Sequence, residues 1–362
     1  MLNRSNLLVK LLLLVPTGIY SIIVALRNWL YNLGFLSSVK FDLPVICVGN
    51  IAVGGTGKTP HVEHILRVFN QESILASVIS RGYKRKTKGY IAITPEHTAL
   101  DVGDEPRQIS RKFPTVPFVV CGDRITGIQN LRSDFPLSQV VVMDDGFQHR
   151  AVTPGMSIIL TDYNHPIYDD YLLPLGNLRE SRSQLKRADI VIVTKCPRSI
   201  KPIDLRIATK RLGLFPYQKI YFTTFEYGEL HKVWGNKLLD NKPKTLSPIL
   251  LVAGIAQPQP FIQHVKEQYN NLSIKLFSDH YVFEGPDILV MVEFLKNNPE
   301  GYVITTEKDS MRLAALDSIP EPLQSRFLYI PIEVRFLNSG NNQFNKQIVE
   351  YVKANKRNGI IH

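Results

Sequence analysis

The chain has 362 residues, 44% hydrophobic and 21% charged, which is ordinary for a soluble globular protein and long enough for two compact domains. Its formal net charge of +11 predicts an anionic partner without choosing among nucleic acid, anionic lipid and phosphorylated substrate. Cys47, Cys121 and Cys196 lie far apart with no CxxC spacing, which predicts buried free thiols in a reducing compartment and excludes a disulfide scaffold.

The first thirty residues differ from the rest of the chain. Sixteen uncharged residues separate Lys10 from Arg27, with apolar side chains at helical spacing. As a helix this run would extend about 24 Å, less than the roughly 30 Å hydrocarbon core, and Pro16 weakens it as a straight span. No cleavage site follows it. Residues 1–30 are therefore interpreted as a helix embedded in one leaflet or crossing marginally, with a helix packed on the domain as the alternative.

Short apolar runs recur along the remainder of the chain, with helix-compatible stretches between several of them. They are PVICVG (44–49), ILASVIS (74–80), VPFVVCG (116–122), QVVVMDD (139–145), SIILTD (157–162), DIVIVTK (189–195), ILLVAG (249–254) and GYVITTEK (301–308). Most lack alternation, as strands buried on both faces do. Strand and helix in alternation predict an α/β fold with a largely parallel sheet.

Most of these runs end in polar or glycine residues. The clusters lie at 54–59, 81–83, 122–124, 144–146, 194–195, 254–256 and 306–309. In open α/β sheets ligands bind beyond the carboxyl ends of the strands, so we expect the chemistry along one edge of the sheet.

The pattern changes after about residue 215. FPYQKIYFTTFEYGELHKVWGNK is typical of an antiparallel strand pair with Gly228 near the turn, and residues 328–336 are candidates to pair with it. We predict an N-terminal helix at 1–30, a larger α/β domain at 31–219, whose phosphate-binding P-loop is described next, and a two-stranded linker at 220–245. A smaller α/β domain follows at 246–327, and 328–362 form a return strand and a C-terminal helix.

A phosphate-binding motif follows the first strand and precedes a helix. Its residues are Val53, Gly54, Gly55, Thr56, Gly57, Lys58 and Thr59. Glycines let backbone amides surround phosphates, Lys58 can reach the β- and γ-phosphates, and the Thr59 hydroxyl can ligate Mg²⁺. The first glycine of the general P-loop pattern is Ala52 here, but the strand–loop–helix context still predicts nucleotide binding.

Two acidic pairs accompany this loop. Asp144 and Asp145 end the QVVVM strand, where P-loop proteins often supply a magnesium-holding acid, with a solvated turn as the alternative. Asp104 and Glu105 form a pair on a loop, where helix capping is the alternative.

Nine motifs in fixed order now point to a family. They are VGGTGKTP (53–60), SRGY (80–83), GDEP (103–106), DDGFQH (144–149), LLPLGNLRE (172–180), RADIVIVTK (187–195), AGIAQP (253–258), FSDHYVF (277–283) and TTEKD (305–309). Together they closely resemble the tetraacyldisaccharide 4′-kinases of the lipid A pathway of Gram-negative bacteria, whose P-loops often lack the first glycine. The resemblance covers about residues 5–330. Lys84 and Ser181 depart from the family pattern at positions without an assigned role.

The resemblance implies an ATP- and Mg²⁺-dependent kinase. It would transfer the γ-phosphate to the 4′-hydroxyl of an acylated glucosamine disaccharide 1-phosphate, forming lipid IVA. The implied fold is a P-loop NTPase-like, mostly parallel sheet flanked by helices, with a second smaller α/β domain and the active site between the two. The implied protein is a monomer, peripheral or monotopic on the cytoplasmic face of the inner membrane.

The resemblance also assigns residues. Asp104 would accept the proton of the attacking hydroxyl, His280 would pair with Asp104, and Lys58 would bind phosphate. Metal ligands would be Thr59, Asp144, Asp145 and Glu180. Substrate or phosphate contacts would come from Arg81, Glu105, Arg124, Gln148, His149 and Arg179.

Other functions fit the P-loop alone. A GTPase or NTP-driven metal-insertion factor would read guanine through an N-K-x-D turn, whose nearest match at 306–309 lacks the asparagine. A non-catalytic membrane scaffold is the third hypothesis, and the intact Lys58, Asp104 and Asp145 argue against it. The basic residues lack interleaved base-stacking aromatics, so no nucleic-acid partner is expected.

Overall fold

The computed structural model describes residues 7–235, 237–239, 242–279, 281–316 and 318–358. Its strands are β1 Val45–Asn50, β2 Ala76–Ser80, β3 Ile91–Ala92, β4 Phe118–Val120, β5 Val140–Asp144, β6 Met156–Asp162, β7 Ile190–Thr194, β8 Lys219–Tyr227, β9 His231–Lys232, β10 Ile249–Ala253, β11 Leu272–Leu276, β12 Tyr302–Thr306, β13 Phe327–Ile330 and β14 Ile332–Phe336.

Helices connect most of these strands. They are α1 Leu7–Asn32, α2 Lys58–Gln71, α3 Ala99–Val102, α4 Asp104–Lys112, α5 Arg124–Asp134, α6 Pro202–Leu212, α7 Gln259–Lys266, α8 Gly285–Asn297, α9 Glu307–Leu313, α10 Glu321–Gln324 and α11 Gly340–Asn358. Two short 3₁₀ turns span Ile167–Asp169 and Arg182–Arg187.

The strands form two mostly parallel sheets. The nine-stranded sheet has the order β14-β8-β7-β6-β1-β5-β2-β4-β3, and only its edge strands β14 and β3 run antiparallel to their neighbours. The five-stranded sheet has the order β11-β10-β12-β13-β9, with β9 antiparallel at one edge. The predicted α/β class is confirmed.

Burial on both faces explains why the strand sequences do not alternate. In β1, Ile46 and Val48 face one hydrophobic core, whereas Val45 and Cys47 face another on the opposite side of the sheet. Helix α2 covers the first face, and α5 covers the second. All three cysteines are buried and free, as predicted.

The segment after residue 215 pairs differently from the predicted hairpin. Strand β8 pairs with the distant β14, with Phe225 opposite Val334, as the sequence allowed. Beyond Gly228 the chain does not fold back on β8, because β9 joins the second sheet beside β13. The hairpin interpretation was wrong because both edges of β8 are already paired, one with β7 and the other with β14. The predicted domain boundaries stay predictions.

Helix α1 has one docked side and one exposed apolar side. Val24 and Asn28 are buried against the protein, whereas Leu12 is 75% and Ile22 68% exposed. The stretch Val9–Asn32 is long and apolar enough to cross a membrane by length and composition. The helix therefore packs on the domain with one side and exposes apolar residues on the other, and its insertion into a membrane stays a prediction.

A buried ionic cluster joins the two sheets through α4 and α9. Lys112 Nζ lies 2.7 Å from Glu63 Oε2 and 3.1 Å from Glu307 Oε1. Both carboxylates are almost fully buried, and burial, reinforced by the charge of Glu63, raises the pKa of Glu307. Lys112 is therefore the cation shared by two buried acids at the domain junction, and Arg67 Nη2 adds a longer contact of 3.6 Å to Glu63 Oε2.

Replacing Lys112 by Met should lower the free energy of unfolding by about 3 kcal/mol, because it leaves both acids buried without their shared cation. Urea unfolding followed by circular dichroism measures the change. The matched control is Lys346→Met, whose 3.7 Å pair with Glu350 is exposed at both ends, and it should change the free energy by less than about 1 kcal/mol. Equal effects of the two variants would contradict the assignment.

Candidate active site

The phosphate loop lies between β1 and α2, held from both sides. Asn50 Nδ2 donates to Thr56 Oγ1 at 2.7 Å, and Thr194 Oγ1 donates to the Thr56 carbonyl at 2.9 Å. Gly57 has φ 86°, and a Cβ there would meet the Phe225 ring at 2.4 Å, so only glycine fits. Helix α2 begins at Lys58 without a side-chain cap, which leaves its first amides for an anion.

Asp145 lies between two cations at the end of β5. Its Oδ1 is 3.5 Å from Lys58 Nζ and 2.9 Å from Arg179 Nη2. Burial alone would raise the pKa of Asp145, but Lys58 and Arg179 outweigh it and hold that pKa at about 2. Asp145 is therefore ionised and fixes both cations beside the loop. Arg179 Nη2 also donates to Asn50 Oδ1. The side chains of Asp145, Lys58 and Arg179 are therefore linked to Asn50, the last residue of β1.

Asp144 is the neighbouring carboxylate and has the opposite electrostatics. Ser80 Oγ donates to its Oδ2 at 3.1 Å, while its buried Oδ1 has no hydrogen-bond partner among the described residues. Burial, then the charges of Glu105 and Asp145, raise the pKa of Asp144 to about 7. An orphaned buried oxygen in an acidic surrounding is what a divalent cation would satisfy.

The donor set fits Mg²⁺ better than a metal held by protein alone. Among the described residues no group of three or more His, Cys, Asp and Glu could hold a metal ion. Mg²⁺ typically takes one or two carboxylates and completes its shell with phosphate oxygens and water. Asp144 beside the phosphate loop meets that requirement, with the Thr59 hydroxyl as the predicted second ligand.

The second domain reaches the acidic pair at the start of α4. Arg312 Nε and Nη2 both donate to Asp104 Oδ2, at 3.0 and 2.7 Å. Lys308 Nζ lies 3.8 Å from Glu105 Oε1. Arg312 is held in turn by the fully buried Asp309, whose Oδ1 accepts from Nη1 at 2.7 Å. Sequence analysis missed Arg312, although it lies three residues after the TTEKD motif. The predicted partner His280 lies outside the described residues.

The side chains that were expected to contact substrate differ in how exposed they are. Arg81 is exposed, whereas Arg124 is buried and its Nη1 donates to the carbonyls of Cys121 and Gly122. This geometry favours a bracing role for Arg124 over the predicted phosphate contact. Burial, then the charge of Arg124, lowers the pKa of His149, which accepts from the Arg124 amide at 3.4 Å.

Gln148 also turns toward the protein. Its Nε2 donates to the Asn50 carbonyl at 2.7 Å, at the end of the strand that leads into the phosphate loop. Gln148 thus stabilises the end of β1, from which the phosphate loop begins.

Glu180 pairs with two arginines. Both of its oxygens form ion pairs, Oε1 with Arg27 Nη2 and Oε2 with Arg187 Nη2, each at 2.5 Å, and its side chain is completely buried. With one arginine on each oxygen, this geometry favours a structural role for Glu180, and its role as a metal ligand stays a prediction. No local pattern in the sequence indicated the pair with Arg27, because 153 residues separate it from Glu180.

A basic cavity of about 610 Å³ opens beside this centre. Its lining combines four cationic residues and two tyrosines with the loop after β4. These are Arg81, Tyr83, Lys84, Arg85, Lys88, Tyr90, Cys121, Gly122, Asp123 and Thr126, together with Gly82, Thr87 and Gly89. The positive lining suits a phosphorylated ligand.

Comparison with known proteins identifies the family. The family model described as tetraacyldisaccharide-1-P 4′-kinase matches residues 9–353. The chain belongs to this family. A tetraacyldisaccharide 4′-kinase of Bacteroides thetaiotaomicron is 45% identical over 352 residues, 94% of this chain and 92% of the relative. The one of Flavobacterium johnsoniae is 42% identical over 357 residues, 97% and 99% of the two chains.

A solved structure shares the 4′-kinase fold. The crystal structure of an "apo" form of LpxK from Aquifex aeolicus in complex with ATP matches with a TM-score of 0.75. It is 24% identical and the match covers 96% of this chain and 99% of that one. The predicted fold and family are thus confirmed.

Within this 4′-kinase site, Asp144 should make stability depend on pH. Its pKa rises from the ordinary 3.8 to about 7 on folding, so in Mg²⁺-free buffer the unfolded chain loses this proton first and stability falls over that interval. Asp144→Asn removes the loss, so the variant should be close to wild type in stability at pH 4 and exceed it by roughly 4 kcal/mol at pH 8.

Thermal unfolding at the two pH values measures this difference. The control is Asp42→Asn, which removes an exposed carboxylate and should not become more stable than wild type at pH 8. Mg²⁺ with ATP should stabilise wild type and leave Asp144→Asn nearly unchanged. A variant less stable than wild type at pH 8 without Mg²⁺ would contradict the assignment.

Proposed function

We propose that this chain is an ATP-dependent kinase that phosphorylates the 4′-hydroxyl of a tetraacyldisaccharide 1-phosphate in lipid A biosynthesis. The observation that carries the proposal is one cluster containing the phosphate loop, its cations and two acidic pairs. Lys58 contacts Asp145, and Glu105 lies close enough to raise the pKa of Asp144. Family membership supplies the class of acceptor.

The reaction forms one bond to phosphorus and breaks another. The acceptor oxygen bonds the γ-phosphorus, the bond from that phosphorus to the β,γ-bridging oxygen breaks, and ADP leaves. The hydroxyl proton passes to the Asp104 carboxylate, which Arg312 orients. Lys58 and Arg179 face the negative charge that spreads over the transferred group. Mg²⁺, held by Asp144 and Thr59, would supply charge neutralisation and phosphate orientation when bound.

The acceptor would approach from the membrane side. Exposed apolar residues of α1 suit acyl chains or the bilayer, and the basic cavity at Arg81 and Lys84 suits a phosphate of the disaccharide. We propose a protein associated peripherally or monotopically with the cytoplasmic face of the inner membrane, acting as a monomer.

The GTPase alternative is disfavoured by Asp309. In a guanine-reading turn this acid must be open to the base, but here it is completely buried. Its Oδ2 accepts from Thr306 Oγ1 at 2.7 Å and from the Gly254 amide at 2.9 Å, and Oδ1 binds Arg312. Asp309 therefore orients Arg312, the partner of Asp104, and is not available to bind a nucleotide base.

Transfer of label from [γ-³²P]ATP to the disaccharide lipid in mixed micelles tests the function. Wild type should place label at the 4′ position and use ATP in preference to GTP. Lys58→Met should reduce kcat about 10²–10³-fold, because it removes a cation from the transferred phosphate. The exposed Lys266→Met serves as the control and should retain activity. Absence of lipid phosphorylation by wild type would overturn the proposal.

A double-mutant cycle tests whether Arg312 acts through Asp104. Asp104→Asn should lower kcat by about 10²–10⁴-fold, and Arg312→Met alone by about 10-fold or more. In the Asp104→Asn background Arg312→Met should add little, because the group that it orients is gone. ATP affinity by calorimetry should be similar in all variants. If the decreases in kcat of the two single variants multiply in the double variant, Arg312 does not act through the Asp104 carboxylate.

A further inference from the structure

Two adjacent residues connect the membrane-facing helix to the phosphate site. The Arg179 side chain binds Asp145, with Nη2 2.9 Å from Oδ1 and Nη1 3.3 Å from Oδ2. The next side chain, Glu180, is completely buried and pairs with Arg27 of α1 and with Arg187. The dipeptide therefore has one side chain in the catalytic cluster and the other fastened to α1.

Helix α1 also holds the backbone of this segment. Tyr20 OH donates to the Arg179 carbonyl at 2.8 Å, and the Leu175 amide donates to Thr17 Oγ1 at 3.1 Å. On the opposite side, the Arg179 amide donates to the Ile51 carbonyl at 2.7 Å. The Val53 amide, directly before the first loop glycine, donates to the Asn177 carbonyl at 2.8 Å.

The segment 175–180 is thus a connector between α1 and the lead-in to the phosphate loop. Its position depends on a buried carboxylate that needs both of its cations, since an acid left half-compensated in the interior moves or takes up a proton. Arg187 pairs with the other oxygen, and its Cζ lies 3.9 Å from the centre of the Phe147 ring, so without Arg27 the only remaining cation of Glu180 would not belong to α1.

We propose that α1 is a positioning element of the phosphoryl-transfer site in addition to its contact with the membrane. Arg27 and Tyr20 act as positioning residues that set Arg179 against Asp145. This inference rests on the proposed kinase function. The exposed apolar side of α1 would contact the membrane that holds the lipid acceptor. Its docked side fixes Arg179 beside Asp145. One helix would therefore align the membrane surface with the phosphate-binding site.

Two charge-matched substitutions separate positioning from membrane binding. Arg27→Gln and Lys10→Gln each remove one positive charge from α1, but Lys10 is exposed. Arg27→Gln should lower kcat about 10-fold with vesicle flotation unchanged, because a small misplacement of Arg179 weakens the transition state. Lys10→Gln should leave kcat near wild type. Arg27→Lys should recover part of the loss, since it restores a cation to Glu180.

A second cycle shows whether the effect passes through Arg179. In an Arg179→Gln background, Arg27→Gln should change kcat less than 2-fold. If Arg27→Gln does not fold, Tyr20→Phe, which removes one hydrogen bond to the Arg179 carbonyl, should still lower kcat about 3-fold at unchanged flotation. The inference is overturned if kcat falls only in proportion to flotation, if both α1 charge variants behave alike, or if Tyr20→Phe is fully active in a protein whose Arg27→Gln variant does not fold. Failure of wild type to phosphorylate the lipid would instead overturn the proposed function.

Discussion

The negative charge of Asp145, held between Lys58 and Arg179, is the constraint on which the rest of the site depends. One carboxylate fixes the cation of the phosphate loop and the cation of a distant segment at the end of the same strand. Asp144, one residue earlier, keeps an unpartnered oxygen in a buried acidic surrounding. Two neighbouring acids therefore have separate tasks, because two cations reach one of them and none that the structure describes pairs with the other.

Each outer part of the protein is fastened to this centre by a buried charge. The second domain contacts Asp104 through Arg312, which the buried Asp309 orients, and Lys112 compensates acids from both sides of the domain junction. Helix α1 contacts the centre through Glu180. Buried pairs of this kind contribute little net stability but strongly disfavour other arrangements, since an unpaired partner is costly. We infer that they fix the placement of the phosphate loop, Asp104 and helix α1 relative to one another.

Local patterns in the sequence predicted the parts whose physics is local. Apolar runs without alternation indicated buried parallel strands, and the glycine-rich turn before a helix indicated the phosphate loop. The pairing of β8 with β14 was among the candidates because both segments have strand-like sequences. Contacts between single distant side chains, such as Arg312 with Asp104 and Glu180 with Arg27, could not be predicted in this way. An acid in a motif carries no sign of whether it will face a metal or an arginine, so the arginine pairs of Glu180 could not be predicted from its motif.

A crystal structure with Mg²⁺ and a non-hydrolysable ATP analogue tests the central claim most directly. We predict that the amides of residues 54–59 surround the β- and γ-phosphates, that Lys58 Nζ contacts the γ-phosphate, and that the metal touches Asp144 Oδ1. Arg179 should stay on Asp145 while Lys58 turns toward the nucleotide. A triphosphate bound elsewhere, or a metal coordinated by Glu180 after release of Arg27, would contradict the account.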